Sequence, residues 1–166
     1  MTWHRSVAGL RTVGVSLGHR EAGAADHWIL SLDPAPTLAC THLVRSPFPH
    51  VAISLQGVSD LPSPAELQPA AAEAAAGKFG RAVVFPGSPD LTGTLTVGDV
   101  LARSAIDRVE VLGSGVAPAE QTLDTRDFVR PQFRGDDLVL VSMPAVGGVL
   151  VPFETRDPTP CCADHG

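Results

Sequence analysis

Punctuation is what most constrains this chain. Fifteen prolines and sixteen glycines cut its 166 residues into short apolar pieces. Proline cannot donate to a strand ladder, and Pro, Gly, Asp and Ser supply turns, so only short elements with tight connections fit between them. Residues 10–17 (LRTVGVSL) alternate over Val13, Val15 and Leu17, the period of a half-buried strand. Residues 27–32 (HWILSL), closed by Asp33-Pro34-Ala35-Pro36, read as a second strand. A third spans 38–44 (LACTHLV) before Ser46-Pro47-Phe48-Pro49, and a fourth spans 50–56 (HVAISLQ). Short strands between proline-rich turns favour an antiparallel sheet.

Further along, Ser63-Pro64-Ala65-Glu66 has the spacing of a capping box, but Pro69 is expected to interrupt a helix starting there, so the firmer helix is placed at 70–78. Residues 81–85 (RAVVF) form a strand. Thr96-Val97-Gly98-Asp99 carries an N-cap with an acid three residues on, predicting a second helix over 97–104. Residues 107–112 alternate, with Val109 and Val111 on the buried side. The last third is a meander: 128–133 pairs with 138–143 across Arg134-Gly135-Asp136-Asp137, and that strand with 149–153 across Pro144-Ala145-Val146-Gly147-Gly148. The expected fold is α+β, mainly antiparallel sheet with two short helices, in a single domain over 1–166.

A chain of this length buries roughly two thirds of its unfolded surface. With 5% aromatics and no Tyr, its core must be small aliphatics. A net charge of −6, one lysine (Lys78) and scattered arginines argue against nucleic-acid binding, which needs clustered cations to displace phosphate counterions. No run approaches the ~18 apolar residues of a membrane span, and the N-terminal residues lack the apolar core of a signal peptide, so a cytoplasmic protein without membrane contact is expected. Oligomeric state is left open, a homodimer being compatible.

Soft ligands gather at the end of the chain, in Cys161-Cys162-Ala163-Asp164-His165. Separations of three and four residues bring a thiolate and an imidazole to one side of a single turn, which suits zinc or Cu(I). Structural zinc takes four ligands and this tail supplies three. Cys40-Thr41-His42 is the candidate for the remainder, since alternate residues of a strand share a face. The leading expectation is therefore a transition-metal protein using Cys161, Cys162, His165, Cys40 and His42, its metal structural or catalytic, and enzyme status open. The alternatives are a non-enzymatic ligand-binding or assembly module with incidental thiols, and a thiol redox protein built on the adjacent cysteines.

Asp124-Thr125-Arg126-Asp127, followed by Arg130, is the densest charge cluster. Arg126 and Arg130 would grip a small anionic ligand, a carboxylate or phosphate, with Asp124 and Asp127 orienting them; surface ion pairs explain the same letters. Gly14-Val15-Ser16-Leu17-Gly18 has the spelling of a serine-hydrolase elbow, with His19, Asp26, His27 and His165 as conceivable partners. Such an elbow sits between a central parallel strand and a helix, so this stretch is read as a glycine-bearing strand. Gly113-Ser114-Gly115 reads as a turn. His4, His19, His27 and His50 are dispersed and read as structural.

Overall fold

The computed structural model describes residues 11–77 and 80–156. In chain order they form β1 (Thr12–His19), α1 (Ala22–Leu30), β2 (Leu38–Val44), β3 (His50–Gln56), α2 (Gln68–Ala76), β4 (Arg81–Val84), β5 (Thr94–Thr96), α3 (Val97–Arg103), β6 (Arg108–Val111), β7 (Gly115–Val116), β8 (Thr122–Asp124), β9 (Gln132–Arg134), β10 (Asp137–Pro144) and β11 (Leu150–Pro152). The strands form one sheet in the order β1-β3-β2-β4-β9-β10-β11-β8-β5, with β6 on β10 and β7 on β6. Pairing is antiparallel except for β6 on β10 and β8 on β11. The fold is thus α+β with a mostly antiparallel sheet. Among the described residues there are three α-helices, not two.

The added helix corrects the reading of 27–32 as a strand. Those residues straddle the second half of α1, where Ala25 and Ile29, four apart, are buried on one face. A six-residue run is too short to separate a period of 2 from one of 3.6. The upstream Ala22, Ala24 and Ala25 supply the helix-forming half. Pro69 does not interrupt a helix either. It lies in the first turn of α2, where its missing N–H would have had no partner anyway. Ser63 caps nothing; its Oγ accepts a hydrogen bond from the Ser16 N–H at 3.0 Å. The box at α3 forms in full: the Asp99 N–H donates to Thr96 Oγ1 at 3.1 Å and the Thr96 N–H to Asp99 Oδ2 at 3.3 Å. A cap of this kind contributes about 1 kcal/mol. In the meander, β9 is shorter than expected: only Gln132 to Arg134 pair, opposite Val139 to Asp137.

Strand alternation sorts the β1-β3-β2-β4 sheet into two faces. One carries Val13, Val15, Ala39, Val51, Ile53, Leu55 and Val83, and α1 covers it with Ala25 and Ile29. The other carries Val44 and Ala52 under Ala70 and Ala74 of α2. A second, larger cluster of Phe85, Leu91, Val97, Val100, Ile106, Val109, Leu123, Leu138, Leu140 and Leu150 fills the rest of the protein, and Cys40 and Ala82 reach into it.

Between the two halves lies a buried ionic network. Arg81 on β4 makes two parallel hydrogen bonds to Asp26 on α1, Nη1 to Oδ1 at 2.7 Å and Nη2 to Oδ2 at 2.8 Å. Its Nε reaches Glu154 at 2.8 Å. Arg130 donates from Nε to Asp26 Oδ2 at 3.0 Å and stacks on Phe128, 4.1 Å from the ring centroid. The side chains of Asp26, Arg130 and Arg81 are only 7%, 10% and 14% exposed. Burial alone would raise the Asp26 carboxyl, but the hydrogen bonds and charges of Arg81 and Arg130 outweigh it and hold the group below its ordinary value.

Candidate functional site

On the α2 face, the helix ends before the sheet does. α2 stops at Ala76, and near its end residues of three strands line a cleft, with Cys40 and Ser54 themselves buried in its floor. Strand register decides which ones meet. Thr12 stands opposite Gln56, Leu38 opposite Gln56, and Cys40 opposite Ser54, with His42 two residues on from Cys40. Together with Ala75, Gly77, Gly80, Phe133 and the Gly135-Asp136-Asp137 turn they enclose a half-open cleft of about 650 Å³.

Glycine makes the room. A Cβ at Gly80 would lie 2.8 Å from Cys40 Cβ and 2.9 Å from His42 Cε1, and one at Gly77 would lie 3.1 Å from His42 Nδ1. Ser54 is the hub of the floor. Its Oγ is 2.7 Å from His42 Nε2, and it also hydrogen-bonds Cys40. Burial pushes the Cys40 thiol up to about 12, only partly offset by Ser54, so at neutral pH it is a protonated, weakly donating group. Alongside, Gln56 Nε2 donates to Thr12 Oγ1 at 3.0 Å, while Gln56 Oε1 is buried without a hydrogen-bond partner among the described residues.

A second Ser–His pair lies under the other end of α2. Ser16 Oγ is 2.7 Å from His50 Nε2, and His50 Nδ1 is 2.7 Å from the Phe48 carbonyl. A carbonyl only accepts, so Nδ1 carries the proton and the Ser16 hydroxyl donates to Nε2. Ser16 is 0% and His50 3% exposed. The pair therefore ties β1 to β3 inside the protein. His19 stands nearby; burial, then the proximity of His50, lowers its pKa. The serine of the elbow-like stretch thus lies within β1, bonded to His50 and not to the histidines flanking it in sequence.

Cys40 and His42 share a face as expected from strand alternation, and both line the cleft. Cys161, Cys162 and His165 lie outside the described residues. Among the described residues, no three His, Cys, Asp or Glu side chains gather in a way that could hold a metal ion. The charged loop is put to other uses. Arg130 turns inward to Asp26, whereas Arg126 is exposed, with φ 53°. Asp124 Oδ1 accepts from the Arg126 N–H, and Asp127 Oδ1 from the Gly93 N–H, so both acids shape the loop. Among the described residues no helix is long and apolar enough to cross a membrane. No protein-family model, curated protein or solved structure matches the chain.

Ser54, Gln56 and Thr12 were not singled out by sequence. The available signal was their alternation with Leu55, Ile53 and Val13. It marks a strand face that carries polar side chains but not what faces it.

Proposed function

We propose that this protein binds a small polar molecule in the cleft beyond the end of α2. The observation that carries the reading is the convergence of hydroxyl, imidazole, thiol and carboxamide groups from β1, β2 and β3 on that cleft, with one amide oxygen, Gln56 Oε1, desolvated and, among the described residues, unpartnered. Leaving a buried acceptor unmatched costs about 1–3 kcal/mol, and a donor on a ligand would remove that cost. Apolar walls from Leu38, Ala75 and Phe133 around a few convergent polar groups are the usual anatomy of a small-molecule site. Titration of ¹⁵N-labelled protein with small amides, amines and alcohols should shift the amides of Cys40, His42, Ser54 and Gln56 together and saturably. The response should fall at least tenfold in affinity in Gln56→Leu, about 1.4 kcal/mol. Shifts scattered over the surface, or an unchanged response in the variant, would remove this reading.

A second reading is favoured by the common facing of Cys40 and His42. In it, zinc or Cu(I) is held by these two residues with Cys161, Cys162 and His165, in a structural or catalytic role. A metal at Cys40 must displace the proton of a thiol pushed up to about 12, so occupancy should rise steeply with pH. Protein purified without added metal is expected to carry stoichiometric zinc or copper by elemental analysis, lost when Cys161 and Cys162 are both changed to Ser. Equal metal in the two proteins, or only traces in the unaltered one, speaks against it.

A further inference from the structure

We infer that Ser54 and His42 act as a nucleophile and its general base, taking an acyl group from a small ester that enters the cleft; the inference rests on the cleft being a small-molecule site. The protein holds two Ser–His contacts of the same length, 2.7 Å. They differ in access. Ser16–His50 is sealed, with no cleft-lining residue among its members, and serves as an internal structural pair. Ser54–His42 lines a cleft of about 650 Å³, and glycine stands at both positions, 77 and 80, where a side chain would collide with the imidazole. The backbone at both glycines therefore packs close on one side of the ring, while the Ser54–His42 pair lines the cleft.

The step uses the tautomer with its proton on Nδ1, in which His42 accepts from the Ser54 hydroxyl at Nε2. As Ser54 Oγ bonds to the ester carbonyl carbon, its proton passes to Nε2. The carbon–oxygen bond to the leaving group then breaks, and the imidazolium returns that proton to the departing alkoxide or phenoxide. Water deacylates the serine by the same path: Nε2 takes a proton from water, hydroxide oxygen bonds to the acyl carbon, and Ser54 leaves as the alcohol, reprotonated from the ring. Ester and water become acid and alcohol, with no redox partner. The Thr12 hydroxyl, which accepts from Gln56 and keeps its own proton, is a donor on the same floor. Leu38, Ala75 and Phe133 offer an apolar wall to a short acyl chain. The Asp136 and Asp137 rim disfavours anionic esters.

The probe is p-nitrophenyl acetate on the full chain, with phenolate release followed by absorbance and the acetyl group located by peptide mass. One acetyl group on Ser54 is expected. Ser54→Ala should remove it, and His42→Gln, which keeps a hydrogen-bonding side chain beside Ser54, should slow its formation by about 10²-fold or more. Ser16→Ala should retain it. Acetylation confined to Cys40 or to surface groups overturns the inference, as does a rate indifferent to His42→Gln. The amide spectrum read in parallel separates the two levels: cleft shifts with the probe but no Ser54 adduct reject the catalytic pair alone, and no cleft shifts and no adduct reject the binding site with it.

Discussion

Replacing Asp26 with alanine should cost about 3–5 kcal/mol of folding stability, the scale of breaking a buried ion pair from one side. The carboxylate is 7% exposed and carries two arginines. Arg81 keeps Glu154 when Asp26 is gone, but Arg130 loses the one carboxylate that its hydrogen bonds reach among the described residues and is left beside a like charge. Asp26→Asn should cost less, because an amide oxygen still accepts from one arginine. The pH dependence follows from the direction of the shift. The folded carboxyl is held below its unfolded value of about 3.9, so the unfolded chain binds more protons in that range. Its contribution is complete above about pH 4 and is lost as pH falls through the lower, folded value. Asp60, Asp99 and Glu110 are held down as well, but at solvent-facing positions. The difference between wild type and Asp26→Asn therefore isolates the buried group. Urea unfolding of both at pH 7 and below pH 4 is the measurement. A loss under about 1 kcal/mol for Asp26→Ala, the scale of an exposed pair, or superimposable acid limbs for wild type and Asp26→Asn, would refute the account.

That network also marks where sequence reading stops. β2 and β3 were legible to the residue because proline-bearing turns at Pro34, Pro36, Pro47 and Pro49 bound them, although burial does not alternate along either. Cys40 and His42 could be put on one face by the strand period. Ser54, however, joins them only through the pairing of β2 with β3, and Gln56 joins Thr12 only through β3 with β1; pairing is a property of the sheet, not of either strand. Asp26 meets Arg81 and Arg130 across 55 and 104 residues, and Arg81 meets Glu154 across 73, all beyond any local pattern. The strands β5, β7 and β8 span two or three residues, too few to express a period. Proline was over-read at Pro69 because its position in the first turn, where it is harmless, depends on where the helix begins.

Gly14→Ala should be the most damaging single-methyl change on the α2 face, at or above the upper end of the ~1–3 kcal/mol typical of overpacking. A Cβ there would lie 1.8 Å from the Ala71 carbonyl oxygen and 3.1 Å from Ala75 Cβ. The first contact is with backbone, which cannot rotate aside, so α2 must lift off β1 as a unit. This explains the glycines of the elbow-like stretch without catalysis: Gly14 admits an alanine-faced helix, and Gly18, at φ 78°, lies within the irregular pairing with β3 between Val15 and His19. The same movement should reach the cleft, because Ala75 and Gly77 at the far end of α2 line it. In Gly14→Ala, denaturant midpoint should fall and the amides of His42 and Ser54 should shift, although neither residue is near position 14 in sequence. Adding Ala75→Gly relieves only the 3.1 Å contact and should recover little. An unaltered midpoint in Gly14→Ala, or full recovery in the double variant, would mean that α2 is not seated on β1 through a bare backbone contact, and the cleft at its end would lose the support that positions it.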